Sequence, residues 1–194
     1  MISFTIITPS LQRESLIKCC RSMESQSYPH WQHVVALDCA PEDIKHDLME
    51  QIQHPQREIF CCGQKFGNFG NHARWMAWER ATGDYLWGVD DDNIVAHDDA
   101  LKDIASALES ANSPAWALFV ILRYGERYLH NPPVFCGTDT MNMVIRREIG
   151  RWLDIEAKEA DGYLAMELKD KYPYVAFPNV KPIGNMDYSS NGGG

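Results

Sequence analysis

Short apolar runs alternate with longer amphipathic stretches along the first half of the chain. The short runs predict strands, and the stretches in which apolar residues recur at helical spacing predict helices. Predicted strands cover residues 2–8, 33–37, 58–62 and 85–89, and predicted helices cover 14–27, 42–53 and about 72–81. Gly83 is expected to stop the third helix. This β-α order predicts an α/β fold with a mostly parallel sheet and helices on both faces.

The second half of the chain is less regular, and it is expected to cover the open edge of the first half. Its predicted helices cover residues 98–110 and 160–171, and its predicted strands cover 116–122 and 140–146. Neither an internal repeat nor a linker is recognisable. Residues 1–194 are therefore expected to form a single domain, with a disordered tail at 189–194.

Composition and charge argue against several kinds of binding partner and of cysteine site. The chain has 194 residues, a net charge of −9 and no Lys/Arg-rich run, which argues against nucleic acid or an anionic membrane as the main partner. Its six cysteines include no C-x-x-C pair, so reduced thiols are favoured over zinc ligands or a disulfide framework. Without a signal peptide or a membrane-spanning apolar run, a cytoplasmic location is expected.

Three consecutive aspartates, Asp90, Asp91 and Asp92, directly follow the predicted strand at 85–89. Asp38 follows the predicted strand at 33–37, and ligands of open α/β sheets bind outside such strand ends. Three like charges repel one another unless something positive neutralises them. Mg²⁺ or Mn²⁺ suits carboxylates spaced D-x-D, with phosphates and water completing the shell. The competing interpretation is a solvated acidic turn.

Several segments together resemble known enzymes. "TIITPSLQR" (5–13), "SQSYPHWQHVVALD" (25–38) and "HARWMAWERATGDYLWGVDDDN" (72–93) are similar, in order and spacing, to conserved stretches of the inverting family 2 glycosyltransferases of GT-A fold. "GTDTMNMVIRREIGRW" resembles their acceptor-side strand and helix more loosely, and "EADGYLAMELKDKYP" resembles the helix that carries the base. The resemblance implies a three-layer α/β/α GT-A domain, with a nucleotide-sugar half at about 1–93 and an acceptor half at about 94–188.

The resemblance also implies roles for individual residues. Asp92 would be the main metal ligand with Asp90 in support, and Asp161 would be the general base. The residues expected to bind the nucleotide are Pro9, Ser10, Arg13, Asp38, His72, Arg74, Asp90 and Asp91.

Several of these roles have alternatives. Arg74 could instead be a surface residue paired with Glu79 or Asp84, and His72 could equally lie outside the site. Asp161 could be a helix cap, with Glu159 and then Glu156 as competing bases.

Two departures from the family affect how the base would be read. Leu11 stands where the family often has an aromatic residue that stacks on the nucleobase, and Cys39 stands where it often has a second aspartate. Neither UDP nor GDP is therefore preferred as the donor nucleotide.

The implied function is metal-dependent, inverting transfer of a sugar from a UDP- or GDP-sugar to a saccharide or glycoconjugate acceptor, with Mn²⁺ or Mg²⁺ as cofactor. A catalytically inactive module that binds a sugar-nucleotide or a glycan is an alternative. A nucleotidyltransferase is disfavoured because "TPSLQRE" lacks the glycines of a triphosphate loop.

Overall fold

Strands and helices alternate through the first half of the computed structural model, which describes residues 1–186; the predicted tail at 189–194 lies outside them. The α-helices are α1 Ser15–Glu24, α2 His46–Gln51, α3 Asn71–Trp78, α4 Ala100–Ser110 and α5 Ala160–Lys171. The strands are β1 Phe4–Ser10, β2 Trp31–Leu37, β3 Arg57–Cys61, β4 Tyr85–Gly88, β5 Asn93–Val95, β6 Trp116–Phe119, β7 Ile121–Arg123, β8 Glu126–Tyr128, β9 Met143–Arg146, β10 Tyr174–Phe177 and β11 Gly184–Met186. Short 3₁₀ helices cover Pro41–Asp43, Asn68–Gly70 and Thr140–Asn142.

The central sheet has seven strands in the order β10-β6-β9-β4-β1-β2-β3. Its neighbours pair in parallel except at β9, which is antiparallel to both β4 and β6. The prediction of a mostly parallel sheet is therefore confirmed. Because β1, β2 and β4 run in the same direction, the residues that follow them meet at one edge of the sheet.

Helices cover both faces of this sheet. Because side chains alternate along each strand, neighbouring residues of one strand pack into apolar cores on opposite faces of the sheet. Phe4 and Ile6 of β1 pack in the core that contains α4 residues, whereas Ile7 packs in the core built with α3 and α5. β2 divides in the same way: Val35 and Leu37 join α1 and α2, and its other face joins α3. The result is the predicted three-layer α/β/α sandwich.

A second, smaller sheet was not predicted. It contains four short strands in the order β5-β11-β7-β8. The predicted strand at 116–122 is wrong as a single element, because the chain leaves the central sheet after Phe119 and enters the small sheet at Ile121. The predicted strand at 140–146 begins instead with a 3₁₀ turn and becomes β9 only at Met143. Strands of three or four residues are too short for an apolar period to identify them.

Gly83 does not stop α3, as had been predicted, since that helix already ends at Trp78. Its role is to let the chain pass against the backbone of β1. A Cβ added at Gly83 would lie 2.4 Å from the carbonyl carbon of Phe4, closer than any real contact. The backbone N–H of Gly83 also donates to Thr5 Oγ1 at 2.9 Å. Gly83 therefore fixes where β4 begins beside β1.

Gly83→Ala is expected to lower the free energy of unfolding by about 2–3 kcal/mol, because the backbone of β1 or β4 must move to accept the methyl group. Gly63→Ala is the matched control: its Cβ would meet nothing within 4 Å, although its φ of +91° carries a strain of about 1 kcal/mol. Urea denaturation followed by circular dichroism measures both. Equal losses for the two variants would contradict the close-approach explanation.

Candidate functional site

A cleft of about 1120 Å³ opens at the edge where β1, β2 and β4 end. Residues from the second half of the chain, within 123–128, 136–140 and 152–161, complete its lining. Of the ten residues to which a site role was assigned from the sequence, nine line this cleft: Pro9, Ser10, Arg13, Asp38, Arg74, Asp90, Asp91, Asp92 and Asp161. The fold therefore brings both halves of the predicted site to one cavity, as expected for the carboxyl edge of an open α/β sheet.

Two of the three consecutive aspartates are held by the turn that follows β1. Asp91 is buried, with 4% of its surface exposed, and its Oδ2 accepts a hydrogen bond of 2.7 Å from Ser10 Oγ. Asp92 Oδ2 accepts from Arg13 Nη1 at 3.1 Å, and the same Arg13 nitrogen lies 3.6 Å from Asp91 Oδ1. The ends of β1 and β4 are thereby joined by charge and hydrogen bonding.

Asp90 has a separate cationic partner. Arg74, which is buried on α3, forms an ion pair with Asp90 and donates to the backbone carbonyl of Phe69 at 2.8 Å. The guanidinium of Arg74 also lies over the ring of Trp152, 5.1 Å from its centroid. The alternative pairing of Arg74 with Glu79 or Asp84 does not occur.

The aspartates are therefore not left unneutralised in the absence of a ligand. This corrects the expectation that only an arriving cation could balance them, since Arg13 and Arg74 already supply positive charge. Burial nevertheless raises the pKa of Asp91 to about 6, although its bond from Ser10 opposes the shift. Burial, and then the charge of Asp90, raise the pKa of Asp92 as well. Both carboxyl groups are therefore harder to ionise than in water, and a bound cation would favour their charged forms.

Asp38 lines the cleft but is committed to the backbone of a loop. Its two carboxylate oxygens accept hydrogen bonds from the N–H groups of Phe66 at 2.7 Å and Gly67 at 2.9 Å. It thus ties the end of β2 to the loop between β3 and α3. This is an anchoring role, and the contact of Asp38 with base and ribose stays a prediction.

Asp161 stands in the first turn of α5 and lines the same cleft. Its Oδ1 accepts a hydrogen bond of 2.7 Å from the N–H of Gly162. Burial raises its pKa, the negative charge of Asp90 raises it further, and the Gly162 bond and Arg74 oppose the rise. The competing bases Glu156 and Glu159 also line the cleft, but both are exposed. The surroundings of Asp161 therefore favour proton uptake by its carboxylate.

His72 does not join the other predicted residues. It is not among the side chains that line the cleft; its Nδ1 pairs with Asp154 Oδ2 at 2.9 Å, and its ring stacks on Phe66 at 3.7 Å. His72 therefore connects α3 to the segment that precedes α5, and the structure gives no support to the nucleotide contact predicted for it.

Asp139 was missed by the sequence reasoning, although it lines the same cleft. Its carboxylate accepts from the N–H of Met141 at 3.0 Å, and Asn142 Oδ1 accepts from the N–H of Asp139, so the pair forms a capping box. Burial raises the pKa of Asp139 to about 6, and the charges of Asp90 and Asp161 add to the shift. The D-x-x-N spacing of a cap was the signal that could have drawn attention to it.

The acidic residues fit a divalent cation only in part. Among residues 1–186, no group of three or more His, Cys, Asp or Glu side chains is arranged to hold a metal ion. The carboxylates of Asp90 and Asp92 nevertheless offer hard oxygen donors on the cleft wall. Mg²⁺ and Mn²⁺ accept such a site when phosphate oxygens and water supply the remaining ligands.

A comparison with protein families decides the relationship of this chain to known proteins. The model of the family described as "Glycosyl transferase family 2" matches residues 5–172. The chain belongs to glycosyl transferase family 2. The match begins in β1, ends just after α5 and so includes every residue of the cleft described above. It agrees with the resemblance found in the sequence.

A related glycosyltransferase aligns with most of the chain. The putative teichuronic acid biosynthesis glycosyltransferase TuaG of Bacillus subtilis (strain 168) is 23% identical over 146 residues, which is 73% of this chain and 58% of TuaG. This chain therefore spans little more than half of that relative.

Solved structures confirm the GT-A fold. S. aureus TarS, residues 1–349, superposes with a TM-score of 0.77 at 14% identity over 95% of this chain and 60% of its own. Mannosyltransferase PcManGT from Pyrobaculum calidifontis, in complex with GDP-Man and Mn²⁺, gives a TM-score of 0.73 at 18% identity over 98% of this chain and 58% of its own. At these low identities, the similarity between this chain and the two solved structures concerns the fold alone.

Within residues 1–186, the helices are all too short or too polar to cross a bilayer.

The raised pKa of Asp139 predicts a specific pH dependence of stability. A carboxyl group whose pKa is about 6 when folded and about 4 when unfolded lowers stability as pH rises through that interval, and the loss is complete above pH 6. Asp139→Asn keeps the hydrogen-bond acceptor for Met141 and removes the charge. The variant should gain stability over the wild type by on the order of 2 kcal/mol at pH 8 and little at pH 4.

Urea denaturation of both proteins between pH 4 and pH 8 measures this difference. A difference between variant and wild type that is the same at every pH would show that Asp139 titrates normally in the folded protein.

Proposed function

We propose that this family 2 chain transfers a sugar from a nucleotide-diphospho-sugar to a hydroxyl group of a saccharide or glycoconjugate acceptor, with inversion at the anomeric carbon and with dependence on a divalent metal. The observation that carries the proposal is the cleft itself. It is lined by the acidic cluster Asp90–Asp92 and also by a carboxylate of raised pKa, Asp161. A donor diphosphate and an acceptor hydroxyl would each meet the group that their chemistry requires.

The ligands bound in the structural neighbours support a nucleotide-sugar donor. TarS has been solved with UDP and with UDP-GlcNAc, and PcManGT with GDP-Man and Mn²⁺. UDP- and GDP-sugars are therefore both candidate donors for this chain. The similarity to TuaG, a putative teichuronic acid biosynthesis glycosyltransferase, supports a saccharide or glycoconjugate as acceptor.

Asp92, with Asp90 in support, would hold Mn²⁺ or Mg²⁺. The bound metal would neutralise charge on the diphosphate as it becomes the leaving group. Arg13 and Arg74 now occupy the carboxylates of Asp92 and Asp90. When these carboxylates turn to a cation, each guanidinium is free to donate to phosphate oxygens, which it binds in the same geometry as a carboxylate.

Asp161 would act as the general base. It would accept the proton of the acceptor hydroxyl while that oxygen bonds to the anomeric carbon, and the bond from that carbon to the diphosphate oxygen would break on the opposite side. A single displacement of this kind inverts the anomeric centre. The raised pKa of Asp161 suits this role, because a base accepts a proton more readily when its own pKa approaches that of the medium.

Asp92→Asn is expected to weaken Mn²⁺-dependent binding of UDP or GDP by at least about tenfold, because a neutral amide is a poor ligand for a hard cation. Isothermal titration calorimetry with each nucleotide, with and without Mn²⁺, measures the effect. Asp98→Asn is the control, since Asp98 is exposed and does not line the cleft. Unchanged Mn²⁺-dependent affinity in Asp92→Asn would overturn the metal assignment.

Asp161→Asn is expected to reduce sugar transfer by about 10²–10⁴-fold while the affinity for the donor nucleotide stays within about twofold. Transfer is measured as nucleoside diphosphate released from UDP-GlcNAc or GDP-mannose in the presence of a panel of saccharide acceptors. Glu159→Gln, which changes an exposed carboxylate two residues away, should remain near the wild-type rate. If the Glu159 variant loses transfer and the Asp161 variant keeps it, the base has been misassigned.

A further inference from the structure

The loop between β3 and α3 contains a run of residues in the left-handed region of backbone space. Gly67, Asn68, Phe69 and Gly70 have φ values of 74°, 44°, 52° and 76°. Two of the four are glycines, which adopt such angles freely, but Phe69 is a bulky residue for which this conformation is rare. A strained non-glycine residue that persists in a fold directs attention to what its side chain does there.

Contacts with three residues, Asp38, Arg74 and Pro9, hold the loop in this conformation. Asp38 accepts from the N–H groups of Phe66 and Gly67, and Arg74 donates to the carbonyl of Phe69 at 2.8 Å. Gly70 packs so closely on Pro9 that a Cβ added there would lie 3.1 Å from Pro9 Cβ. The loop is therefore fixed to the ends of β1 and β2 and to α3, and the position of Phe69 is imposed by its surroundings.

The ring that this loop presents is not used to build the core. Phe69 is 63% exposed, and it lines the cleft. Exposure of a large aromatic ring inside a cavity is costly unless a ligand covers it, and aromatic rings in binding sites commonly contact the flat or apolar part of a ligand. Leu11 is a second exposed apolar residue of the cleft, at 44%, but an aliphatic side chain offers no π-face.

The position of Phe69 in the cleft favours the nucleoside as the group that covers it. In the proposed function, the diphosphate lies at Asp92 and the donor sugar lies between the diphosphate and Asp161. The nucleoside then extends away from Asp161, towards the ends of β1 and β2. Pro9 and Asp38, the residues that fix the Phe69 loop, stand at those two strand ends.

We propose that Phe69 is the stacking platform for the nucleobase of the donor, an inference that rests on the proposed function. The left-handed turn projects the ring into the cleft, and its three anchors keep the ring in place before the nucleotide arrives. Stacking on an aromatic face accepts any base, because every base has a π-face. Phe69 therefore supplies affinity for the nucleoside without choosing between uracil and guanine.

Titration of UDP, GDP and inorganic pyrophosphate, each with Mn²⁺, into wild type, Phe69→Ala and Phe69→Trp tests this proposal. Phe69→Ala should lose about tenfold or more in affinity for both nucleotides, as expected for loss of one stacked base, and should bind pyrophosphate as the wild type does. Phe69→Trp should retain nucleotide affinity, and UDP or GDP should quench its indole fluorescence. Phe135→Ala, which removes an exposed phenylalanine that does not line the cleft, should leave all three affinities unchanged.

Phe69→Gly separates stacking from backbone strain, because glycine accepts the left-handed conformation but has no ring. It should lose nucleotide affinity as Phe69→Ala does, while its stability is equal to or above that of the wild type. Full nucleotide affinity in both Phe69→Ala and Phe69→Gly would overturn the stacking role. Failure of wild type to bind UDP and GDP at all would instead refute the proposed function.

Discussion

The electrostatic balance at the end of β4 is the constraint on which the rest of the site depends. Asp90, Asp91 and Asp92 follow a buried strand, and their mutual repulsion would oppose folding if nothing offset it. Arg74 and Arg13 pair with the two outer aspartates, and Ser10 donates to the middle one. These partners come from α3 and from the turn after β1. The same contacts that offset the charge therefore also fix the relative position of three elements.

This arrangement suits a site that must exchange one set of charges for another. The carboxylates have partners without a ligand, yet burial still raises the pKa values of Asp91 and Asp92. Under the proposed function, a divalent cation replaces the guanidinium groups at the carboxylates, and a diphosphate replaces the carboxylates at the guanidinium groups. Two opposite charges arrive together, so the protein need not carry a large unbalanced charge in either state.

The sequence predicted the architecture and the sheet edge at which the cleft opens well, because both depend on patterns with a simple physical basis. Apolar runs of five or more residues identified β1 to β4, and helical periodicity gave α5 with the bounds that the structure shows. The small sheet could not be predicted from the sequence, because its strands have three residues each and are defined by the strands with which they pair. Gly83 was misread because a close approach to Phe4 leaves no trace in local sequence.

Side-chain partners were the harder part of the site to predict. Asp38 anchors a loop and His72 pairs with Asp154, partners that their residue types did not indicate, and the nucleotide contacts of both stay predictions. Phe69 lies outside the segments that resemble the family, whereas Asp139 lies within the loosely similar stretch at 137–152. Both escaped notice because the backbone conformation of Phe69 and the burial of Asp139 exist only in three dimensions. Residue type and spacing thus located the cleft, whereas the division between anchoring and ligand-facing roles required the structure.

The central claim is that the arginine-paired aspartates exchange their partners for a divalent cation and a diphosphate. A crystal structure of the protein with UDP or GDP and Mn²⁺, with the manganese located by its anomalous scattering, tests it most directly. We expect manganese to be bound to Asp92 and to diphosphate oxygens, and Arg13 to have moved from Asp92 towards the diphosphate. A bound nucleotide diphosphate with Arg13 still on Asp92, and no manganese at that carboxylate, would contradict it.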